Sequence, residues 1–424
     1  MKKLIALLLA LAMTATMFVG CDKDTANDET KASDDTTASD SQETQDTQDT
    51  QDTQDTTAQN TEYKVAMITD YGDITDQSFN QATYEGAQAW CSENGVDFTY
   101  YKPTGDSTAE RVASIEQAID EGYNVLVMPG YAFGGAIVET AASYPDVKFF
   151  ALDVAAGDIL ETAVALKGEE YSYNPADYNM ADYVDLSNVY CAVYQEELAG
   201  YMAGYAAVKL GYTKLGFLGG MAVPAVIRYG FGFVQGVDAA ANELGNASNV
   251  SVKYAYGNQF YGDADITAKM DTWYADGTEV VFACGGGIWT SAAEAAAKVG
   301  QKVIGVDVDQ KAIIDGQYGD GMTVTSAMKG LAATVKATLT DIITNGNWAN
   351  YAGKIETLGL VSGTDTTANY VQLPVESTQW NDSFKAEDYT KLVGELFDGT
   401  RKVSNDTSAM PTTTVAVDDQ GNIK

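Results

Sequence analysis

The chain has 424 residues, 45% hydrophobic and 20% charged, a composition typical of a globular protein long enough for two domains. Acidic residues outnumber basic residues 60 to 25, which gives a net charge of −35, and histidine is absent. The acidic balance argues against nucleic acid as a partner, because phosphate binding requires clustered Lys and Arg and the sequence has no basic run beyond its first three residues. The absence of histidine removes the usual general base and the Ser-His-Asp and Cys-His constellations, so we do not expect an enzyme.

The first 21 residues have the organisation of a secretion signal. Lys2 and Lys3 precede an apolar segment, residues 4–19, that is too short for a comfortable membrane span. The segment ends at Gly20-Cys21, and residues 18–21 are similar to a bacterial lipobox, in which the thiol is lipidated and becomes the mature N-terminus. We therefore predict a lipoprotein signal peptide over 1–21 and lipidation of Cys21.

Residues 22–61 consist mainly of Asp, Thr, Gln and Ser, with four consecutive Gln-Asp-Thr units at 45–56. A segment with so few apolar residues cannot bury a core, so we predict a disordered acidic tether. A flexible chain of this length has a root-mean-square reach of roughly 35 Å.

From residue 65 onward, short runs of apolar and β-branched residues alternate with helical patterns. This alternation predicts parallel sheets covered by helices. The first series of predicted strands is Val65–Thr69, Phe98–Tyr101, Val125–Met128, Phe149–Asp153 and Val189–Val193. The second series is Leu215–Leu218, Val252–Tyr256, Val280–Ala283, Val303–Val306 and Val324–Ala327. A further strand is predicted at 354–361, and two series of this size imply two lobes.

Polar residues follow the first strand in the loop 70–80. In parallel sheets ligands bind beyond the carboxyl ends of the strands, so Asp70, Asp76 and Asn80 are candidate ligand contacts. Helix capping is an equally suitable role for Asp76, Ser78 or Asn80, because a helix is predicted to begin next to them.

Three blocks of sequence carry a resemblance to a known family. They are TDYGDITDQSFNQATYEG at 69–86, FLGGMAVPAVIRYGFGFVQGV at 217–237 and IGVDVDQ at 304–310. On these blocks the chain resembles the basic membrane protein family of lipoproteins, which includes the purine nucleoside receptors of bacterial ABC importers. The resemblance implies a type I periplasmic-binding-protein fold of class α/β, with two doubly wound parallel-sheet lobes, three hinge crossovers and a ligand in the cleft.

With this architecture we assign residues 62–194 and 330–352 to lobe 1 and residues 195–329 and 353–400 to lobe 2. Residues 401–424 are left as a C-terminal tail. A Tyr- and Asp-rich insertion at 157–187 is expected to cover the cleft mouth or a sheet edge.

The resemblance also implies roles for single residues. Tyr84 and Tyr229 are expected to stack on a purine base, with Phe231 or Phe233 as alternatives to Tyr229. Asp307 is expected to bind ribose hydroxyls. Further implied contacts are Lys329 on the same ribose or in an ion pair with Asp307, Asp70, Asp76 and Asn80 on the base edge or hydroxyls, and the backbone of Gly286. The family often has acids where this chain has Gly134-Gly135 and Ala222.

We therefore predict a monomeric substrate-binding protein that is lipid-anchored on the extracytoplasmic face of the cell membrane. It is expected to pass a nucleoside to an ABC permease and to need no cofactor. A sugar or signalling molecule in the same cleft is one alternative. A surface interaction lipoprotein with a vestigial cleft is another. Cys91, Cys191 and Cys284 show no CxxC spacing and are expected to be buried thiols, with a Cys191–Cys284 bridge as the alternative.

Overall fold

The computed structural model describes residues 62–424, so the predicted signal, Cys21 and the tether lie outside the described residues. The strands are β1 Lys64–Ile68, β2 Asp97–Tyr101, β3 Val125–Pro129, β4 Lys148–Leu152, β5 Val189–Tyr194, β6 Lys214–Gly219, β7 Ser251–Tyr256, β8 Val280–Cys284, β9 Lys302–Asp307, β10 Thr323–Lys329, β11 Lys354–Leu358, β12 Val371–Gln372 and β13 Ala416–Asn422. The helices are α1 Phe79–Asn94, α2 Thr108–Asp120, α3 Phe133–Thr140, α4 Ala156–Leu166, α5 Glu196–Lys209, α6 Pro224–Glu243, α7 Ala264–Ala275, α8 Trp289–Val299, α9 Lys311–Tyr318, α10 Leu331–Leu339 and α11 Ala386–Phe397. Among these helices none combines the length and the apolar character needed to cross a bilayer.

The strands form two sheets, one in each lobe. Lobe 1 has the order β11-β5-β4-β3-β1-β2, and lobe 2 has the order β12-β10-β9-β8-β6-β7-β13. Every pairing is parallel except that of β12 with β10. The chain crosses between the lobes after β5, after β10 and between β11 and β12. The predicted α/β fold with two doubly wound lobes and three crossovers is confirmed.

The central strands are apolar on both faces because helices cover both sides of each sheet. In β1, Val65 and Met67 belong to one apolar cluster, whereas Ala66 and Ile68 belong to another on the opposite face. The first cluster continues into lobe 2, where Phe282 of β8 joins it. One apolar core therefore contacts both sheets and joins the two lobes on the hinge side.

Helices α5 and α6 pack at unusually short range. Each carries two glycines four residues apart, Gly200 and Gly204 in α5 and Gly232 and Gly236 in α6. A Cβ at any of these four positions would lie 2.0 to 2.2 Å from a carbonyl oxygen of the other helix. The sequence spacing thus allows backbone-to-backbone contact, and α5 and α6 form a rigid pair.

Two predicted boundaries are wrong. Strand β11 lies within the segment assigned to lobe 2, yet it pairs with β5 of lobe 1, from Lys354↔Tyr190 to Leu358↔Tyr194. The predicted tail contains β13, which extends the lobe 2 sheet beside β7. Both are edge strands with mostly exposed or half-buried side chains, so they lack the apolar run that identifies a central strand.

The predicted insertion divides into two parts. Its first residues are in α4, the regular crossover helix between β4 and β5. Residues 167–187 form an irregular surface segment whose tyrosine rings contact one another and which packs on the lobe 1 core through Met180 and Leu186. None of residues 167–187 lines the cavity described below.

Cys91, Cys191 and Cys284 are free, buried thiols. Cys191 is in the lobe 1 sheet and Cys284 is in the lobe 2 sheet, so the alternative of a bridge between them is wrong.

The close packing of α5 on α6 makes a testable prediction for Gly232. Gly232→Ala places a methyl group 2.0 Å from the Glu197 carbonyl oxygen and should lower the free energy of unfolding by about 1–3 kcal/mol in urea titrations. Gly316→Ala in α9 is the control, because nothing lies within 4 Å of its Cβ position, and it should be neutral or stabilising by up to about 1 kcal/mol. Equal effects of the two substitutions would contradict the proposed close contact.

Candidate functional site

A cavity of about 440 Å³ lies between the lobes, at the carboxyl ends of the strands. The strand order reverses between β1 and β3 in lobe 1 and between β6 and β8 in lobe 2, and such reversals open a crevice for ligands. The volume lies within the range of about 300–1,000 Å³ that is usual for small-molecule sites.

Asp70 lies at the cavity, two residues after β1, and is 6% exposed. Its Oδ1 accepts hydrogen bonds from the N–H groups of Tyr71 at 2.7 Å and Gly72 at 2.8 Å. Burial raises the pKa of Asp70, while these two hydrogen bonds act in the opposite direction. The loop thereby fixes one carboxylate oxygen and holds the carboxyl group at the cavity wall.

Asp76 and Asn80 both line the cavity but have different local roles. Asp76 accepts from the N–H groups of Ser78, Asn80 and Gln81 at 2.9 to 3.0 Å, so it caps the start of α1. Asn80 is 6% exposed, and its Oδ1 has no hydrogen-bond partner among residues 62–424. Asn80 therefore offers a free acceptor to a ligand.

The two tyrosines predicted to stack on a base lie in different surroundings. Tyr84 does not line the cavity: its ring contacts Phe98 and Tyr100, and its hydroxyl accepts from Gln88 at 2.7 Å. Tyr84 lies one α1 turn beyond Asn80 on the face that packs on β2, which corrects its predicted position.

Tyr229 does line the cavity, but it is fully buried and packs edge-on against Phe282, with ring centroids 5.9 Å apart. Its hydroxyl donates to the Ala327 carbonyl at 3.3 Å. The alternatives Phe231 and Phe233 are core residues that do not line the cavity.

Phe79 and Phe260 are cavity rings that the sequence analysis did not select. Phe79 is the first residue of α1 in lobe 1, and Phe260 lies in the loop after β7 in lobe 2. The Phe260 ring lies over glycines, since a Cβ at Gly220 or Gly285 would lie 2.4 or 2.8 Å from it. Gly286, a predicted contact, also lines the cavity with φ of +51°. Phe79 could have been predicted from the sequence, because it lies between the candidate residues Ser78 and Asn80.

A buried cluster of charges forms the hinge side of the cavity around Lys329. The Lys329 Nζ lies 2.5 Å from Asp153 Oδ2, 3.5 Å from Glu196 Oε1 and 3.7 Å from Asp307 Oδ1. Arg228 Nε contacts the other oxygen of Glu196 at 2.7 Å. Lys329 therefore pairs with Asp307, as one of the predicted alternatives states, but Asp153 is its nearer partner. Asp153 and Glu196 were not predicted from the sequence.

Burial and pairing act in opposite directions on this cluster. Burial raises the pKa of Asp153 to about 7, although the Lys329 ammonium acts to lower it. Burial also raises the pKa of Asp307. For Lys329 the three carboxylates outweigh burial and raise its pKa, so the ammonium stays charged. Asp153 Oδ1 has no hydrogen-bond partner among the described residues, which leaves another acceptor at the cavity.

Asp153 and Asp307 share an uncommon backbone conformation. Their φ angles are +60° and +65°, in the left-handed region that residues other than glycine rarely adopt. Asp153 follows β4, and Asp307 is the last residue of β9. Such strain is typical of functional sites, where the surrounding structure enforces it.

Several contacts cross the cleft and hold the lobes together. Ser78 Oγ of lobe 1 donates to Asp307 Oδ2 of lobe 2 at 2.5 Å. Gln310 Nε2 of lobe 2 donates to the Gln77 carbonyl of lobe 1 at 2.9 Å. The structure is therefore a closed form, in which residues of both lobes surround the cavity.

Two parallel sheets joined by three chain crossings, with a shared cavity at their strand ends, form a fold of the periplasmic-binding-protein type. A solved solute-binding protein of an ABC transporter from Aeropyrum pernix shares this fold, with a TM-score of 0.58, 21% identity and coverage of 81% of this chain and 88% of that chain. The family model for PnrA-like ABC transporter substrate-binding proteins, Bmp, matches residues 63–381. The chain belongs to this family.

Two relatives carry informative names. The ABC transporter nucleoside-binding protein BmpA of Lactococcus lactis is 28% identical over 293 residues, 65% of this chain and 74% of the relative. A protein of Pyrococcus abyssi named as an uncharacterized lipoprotein is 27% identical over 204 residues, 48% of this chain and 44% of the relative. The protein is thus a substrate-binding protein of the ABC transporter type, a class that binds a small ligand and works with a permease.

The charge cluster makes a prediction for Lys329. Lys329→Met leaves buried carboxylates unpaired and should lower the free energy of unfolding by about 3–5 kcal/mol at pH 8. The deficit should be smaller at about pH 6 than at pH 8. In the wild type Asp153 has a pKa of about 7, and loss of the Lys329 ammonium raises this pKa further. Above pH 7 only the folded variant keeps the proton that the unfolded chain has released, so its stability falls relative to the wild type as pH rises. Urea titrations at several pH values measure this dependence.

The matched control is Lys298→Met, which removes an exposed pair with Asp271 at 3.0 Å and should leave the free energy of unfolding nearly unchanged at each pH. A pH-independent deficit in Lys329→Met would contradict the assigned role of the buried carboxylates.

Proposed function

We propose that the protein captures a nucleoside, with a purine as the preferred base, in the cavity between the lobes and presents it to an ABC permease. One observation carries the proposal: a single cavity contains a charged hydrogen-bonding end, at Asp307 and Lys329, and aromatic rings from opposite lobes, Phe79 and Phe260. A nucleoside combines a hydroxylated sugar with a flat base and matches these two parts. The name of the Lactococcus lactis relative, a nucleoside-binding protein, supports this ligand class.

In this proposal the ribose binds at the hinge side. Asp307 accepts from a ribose hydroxyl, and Lys329 donates to the neighbouring oxygen. Asp153 Oδ1, which has no partner among residues 62–424, accepts from a further hydroxyl. A site rich in buried acceptors favours a ligand rich in donors, since each donor replaces a missing hydrogen bond.

The base lies between Phe79 and Phe260, with its edge toward Asp70 and Asn80. Asn80 Oδ1 is the free acceptor at this end, and Gly286 allows backbone to approach the ring closely. Tyr229 supports the site by edge-on packing, and Asp76 orders the loop by capping α1. Tyr84 lies outside the cavity and is not a proposed contact.

One departure from the family pattern has a local substitute. The family often has an acid after the third strand, where this chain has Gly134 in the first turn of α3. A Cβ at Gly134 would lie 2.3 Å from the Asp158 carbonyl oxygen. Asp158 of α4 lines the cavity on this side, and burial raises its pKa to about 6. We propose that Asp158 supplies the acidic group in this chain.

Closure of the lobes is the means of capture. The contacts Ser78–Asp307 and Gln310–Gln77 are made only between lobes, so they contribute to the closed form alone. A ligand that contacts both lobes binds the closed form more tightly and shifts the population toward it. We propose that the closed protein acts as a monomer, and that the permease recognises this form.

The experiment that tests the ligand class is thermal unfolding of residues 62–424, after bound ligand has been stripped, in the presence of purine and pyrimidine nucleosides, free bases, ribose and hexoses. A ligand at a hundred times its dissociation constant adds about 2.7 kcal/mol, a shift of a few degrees for a body of this size. Purine nucleosides alone should give this shift. A shift with sugars alone would overturn the nucleoside, and no shift with any ligand would favour the surface-interaction alternative.

Ring substitutions then test the stacking geometry. Phe79→Ala and Phe260→Ala should each weaken nucleoside binding by about 1–3 kcal/mol, because each removes one face of the base stack. Tyr84→Ala, whose ring lies outside the cavity, should leave the dissociation constant unchanged. Calorimetric titration measures all three, and the stacking model fails if only Tyr84→Ala weakens binding.

We propose a lipid anchor at Cys21 on the extracytoplasmic face of the membrane. The secretion signal and the lipobox-like residues 18–21 support it, as does the printed name of the Pyrococcus abyssi relative. Cys21→Ser should move the protein from the membrane fraction to the soluble extracytoplasmic fraction, because one lost diacyl anchor removes the hydrophobic attachment. Membrane retention of this variant at the wild-type level would overturn the anchor.

A further inference from the structure

The residues after α11 lie beyond the family match, which ends at residue 381. We refer to residues 401–424 as the C-terminal strap. The strap packs along lobe 2: Ser404 N donates to Gln235 Oε1 at 2.9 Å, and Thr414 N and Val415 N donate to Asp238 Oδ1 at 2.7 and 2.9 Å. These contacts fix its path over α6.

The end of the strap runs beside β7 toward the cavity. Strand β13 pairs with β7 from Ala416↔Ser251 to Asn422↔Tyr256, and Ile423 N donates to the Tyr256 carbonyl at 2.8 Å. Trp273 Nε1 of α7 donates to Gln420 Oε1 at 3.0 Å. Tyr256 is the last residue of β7, so the strap holds the point at which the loop 257–263 begins.

The loop 257–263 carries two cavity residues, Phe260 and Tyr261. Its backbone is tied to lobe 2 where Gly257 N donates to the Gly219 carbonyl at 2.8 Å and Gly287 N donates to the Phe260 carbonyl at 2.8 Å. The Tyr261 side chain is 61% exposed, whereas the Phe260 ring packs against the lobe 2 core over Gly220 and Gly285.

Asp263 and Lys424 connect the strap to this loop. Asp263 Oδ1 caps α7 by accepting from Asp265 N and Ile266 N at 3.0 Å, and its Oδ2 accepts from Gln259 Nε2 at 2.8 Å. The Lys424 ammonium donates to the same Oδ2 and lies 3.4 Å from Gln259 Oε1. The hydrogen bond from Lys424 lowers the pKa of Asp263 to about 2, with a further contribution from Ile266 N–H.

We propose that the C-terminal strap is a positioning element for the ligand site: β13 and Lys424 hold the loop 257–263 so that Phe260 stays at the cavity wall. The proposal has two consequences: the strap keeps the loop 257–263 ordered, and it thereby slows release of the ligand. The second consequence rests on the proposed nucleoside function, whereas the first does not. Lys424 and Ile423 act through Phe260 and do not themselves line the cavity.

Hydrogen exchange of the ligand-free protein tests the first consequence. Lys424→Met should raise the exchange rate of amides in 257–263 about two- to fivefold, because an exposed ion pair restrains the loop only modestly, and Lys424→Arg should restore the wild-type rate. Lys298→Met is the matched control, because it breaks an ion pair of lobe 2 between α7 and α8 that does not contact the loop. Deletion of 416–424 should have a larger effect on the same amides.

The rate of nucleoside dissociation tests the second consequence. In Lys424→Met the dissociation rate should rise by about the same factor as the exchange rate. The melting temperature of Lys424→Met should be no lower than that of Lys298→Met. Equal loop exchange in these two variants overturns the positioning role, and faster exchange with an unchanged dissociation rate overturns its link to ligand release. If wild-type protein binds no nucleoside, the proposed function fails, and the exchange experiment alone decides the role of the strap.

Discussion

The buried ammonium of Lys329 is the interaction on which the arrangement of the two lobes depends. It stands at the end of β10, directly before the second crossover, and it neutralises carboxylates that come from both lobes and from the first crossover. Without this cation, Asp153 and Asp307 would be buried acids near a third carboxyl group, that of Glu196, and burial would favour the protonated forms of Asp153 and Asp307. The hinge and the polar end of the cavity are therefore one electrostatic unit. In the proposed ribose site, ligand binding and lobe closure share the same charges.

The rest of lobe 2 supports this unit mechanically. Helices α5 and α6 contact each other backbone to backbone, and their first turns carry Glu196 and Arg228, which form an ion pair at 2.7 Å. Any movement of α5 at the crossover must carry α6 with it, because the glycine contacts leave no space for sliding. The loop 257–263 and the residues after β8 then complete the cavity from the same lobe.

Much of the fold could be predicted from the sequence, because the central strands have to be apolar on both faces and stand out in the chain. Every such strand from Val65 to Ala327 lies where its apolar run predicts it. Strand β11 was predicted at 354–361 but assigned to the wrong lobe. Strand β13 was left in a tail, because the half-exposed residues 416–422 include Asp, Gln and Gly and resemble a loop.

The candidate site was harder to predict, because its members come from loops whose directions depend on tertiary packing. Asp70, Asp307 and Lys329 follow or end strands, and that position alone brings them to the cavity. Tyr84 illustrates the opposite case: its helical spacing from Asn80 fits either face of α1, and the packing of α1 on β2 decides between them. Asp153 also ends a predicted strand, but no motif in the sequence indicates a partner for it. Nothing therefore distinguished Asp153 from an ordinary turn residue.

The left-handed aspartates reveal a pseudo-twofold relation between the lobes. Asp153 follows the fourth strand of lobe 1 and Asp307 ends the fourth strand of lobe 2, and both have the same backbone twist. The next strand of each lobe ends in Tyr194 or in Lys329, and the Lys329 ammonium lies 5.5 Å from the centre of the Tyr194 ring. At these equivalent strand ends the two lobes differ, because lobe 2 carries a cation where lobe 1 carries a phenol. The repeated frame therefore presents unlike groups at matching positions, and the two sides of the hinge differ in charge.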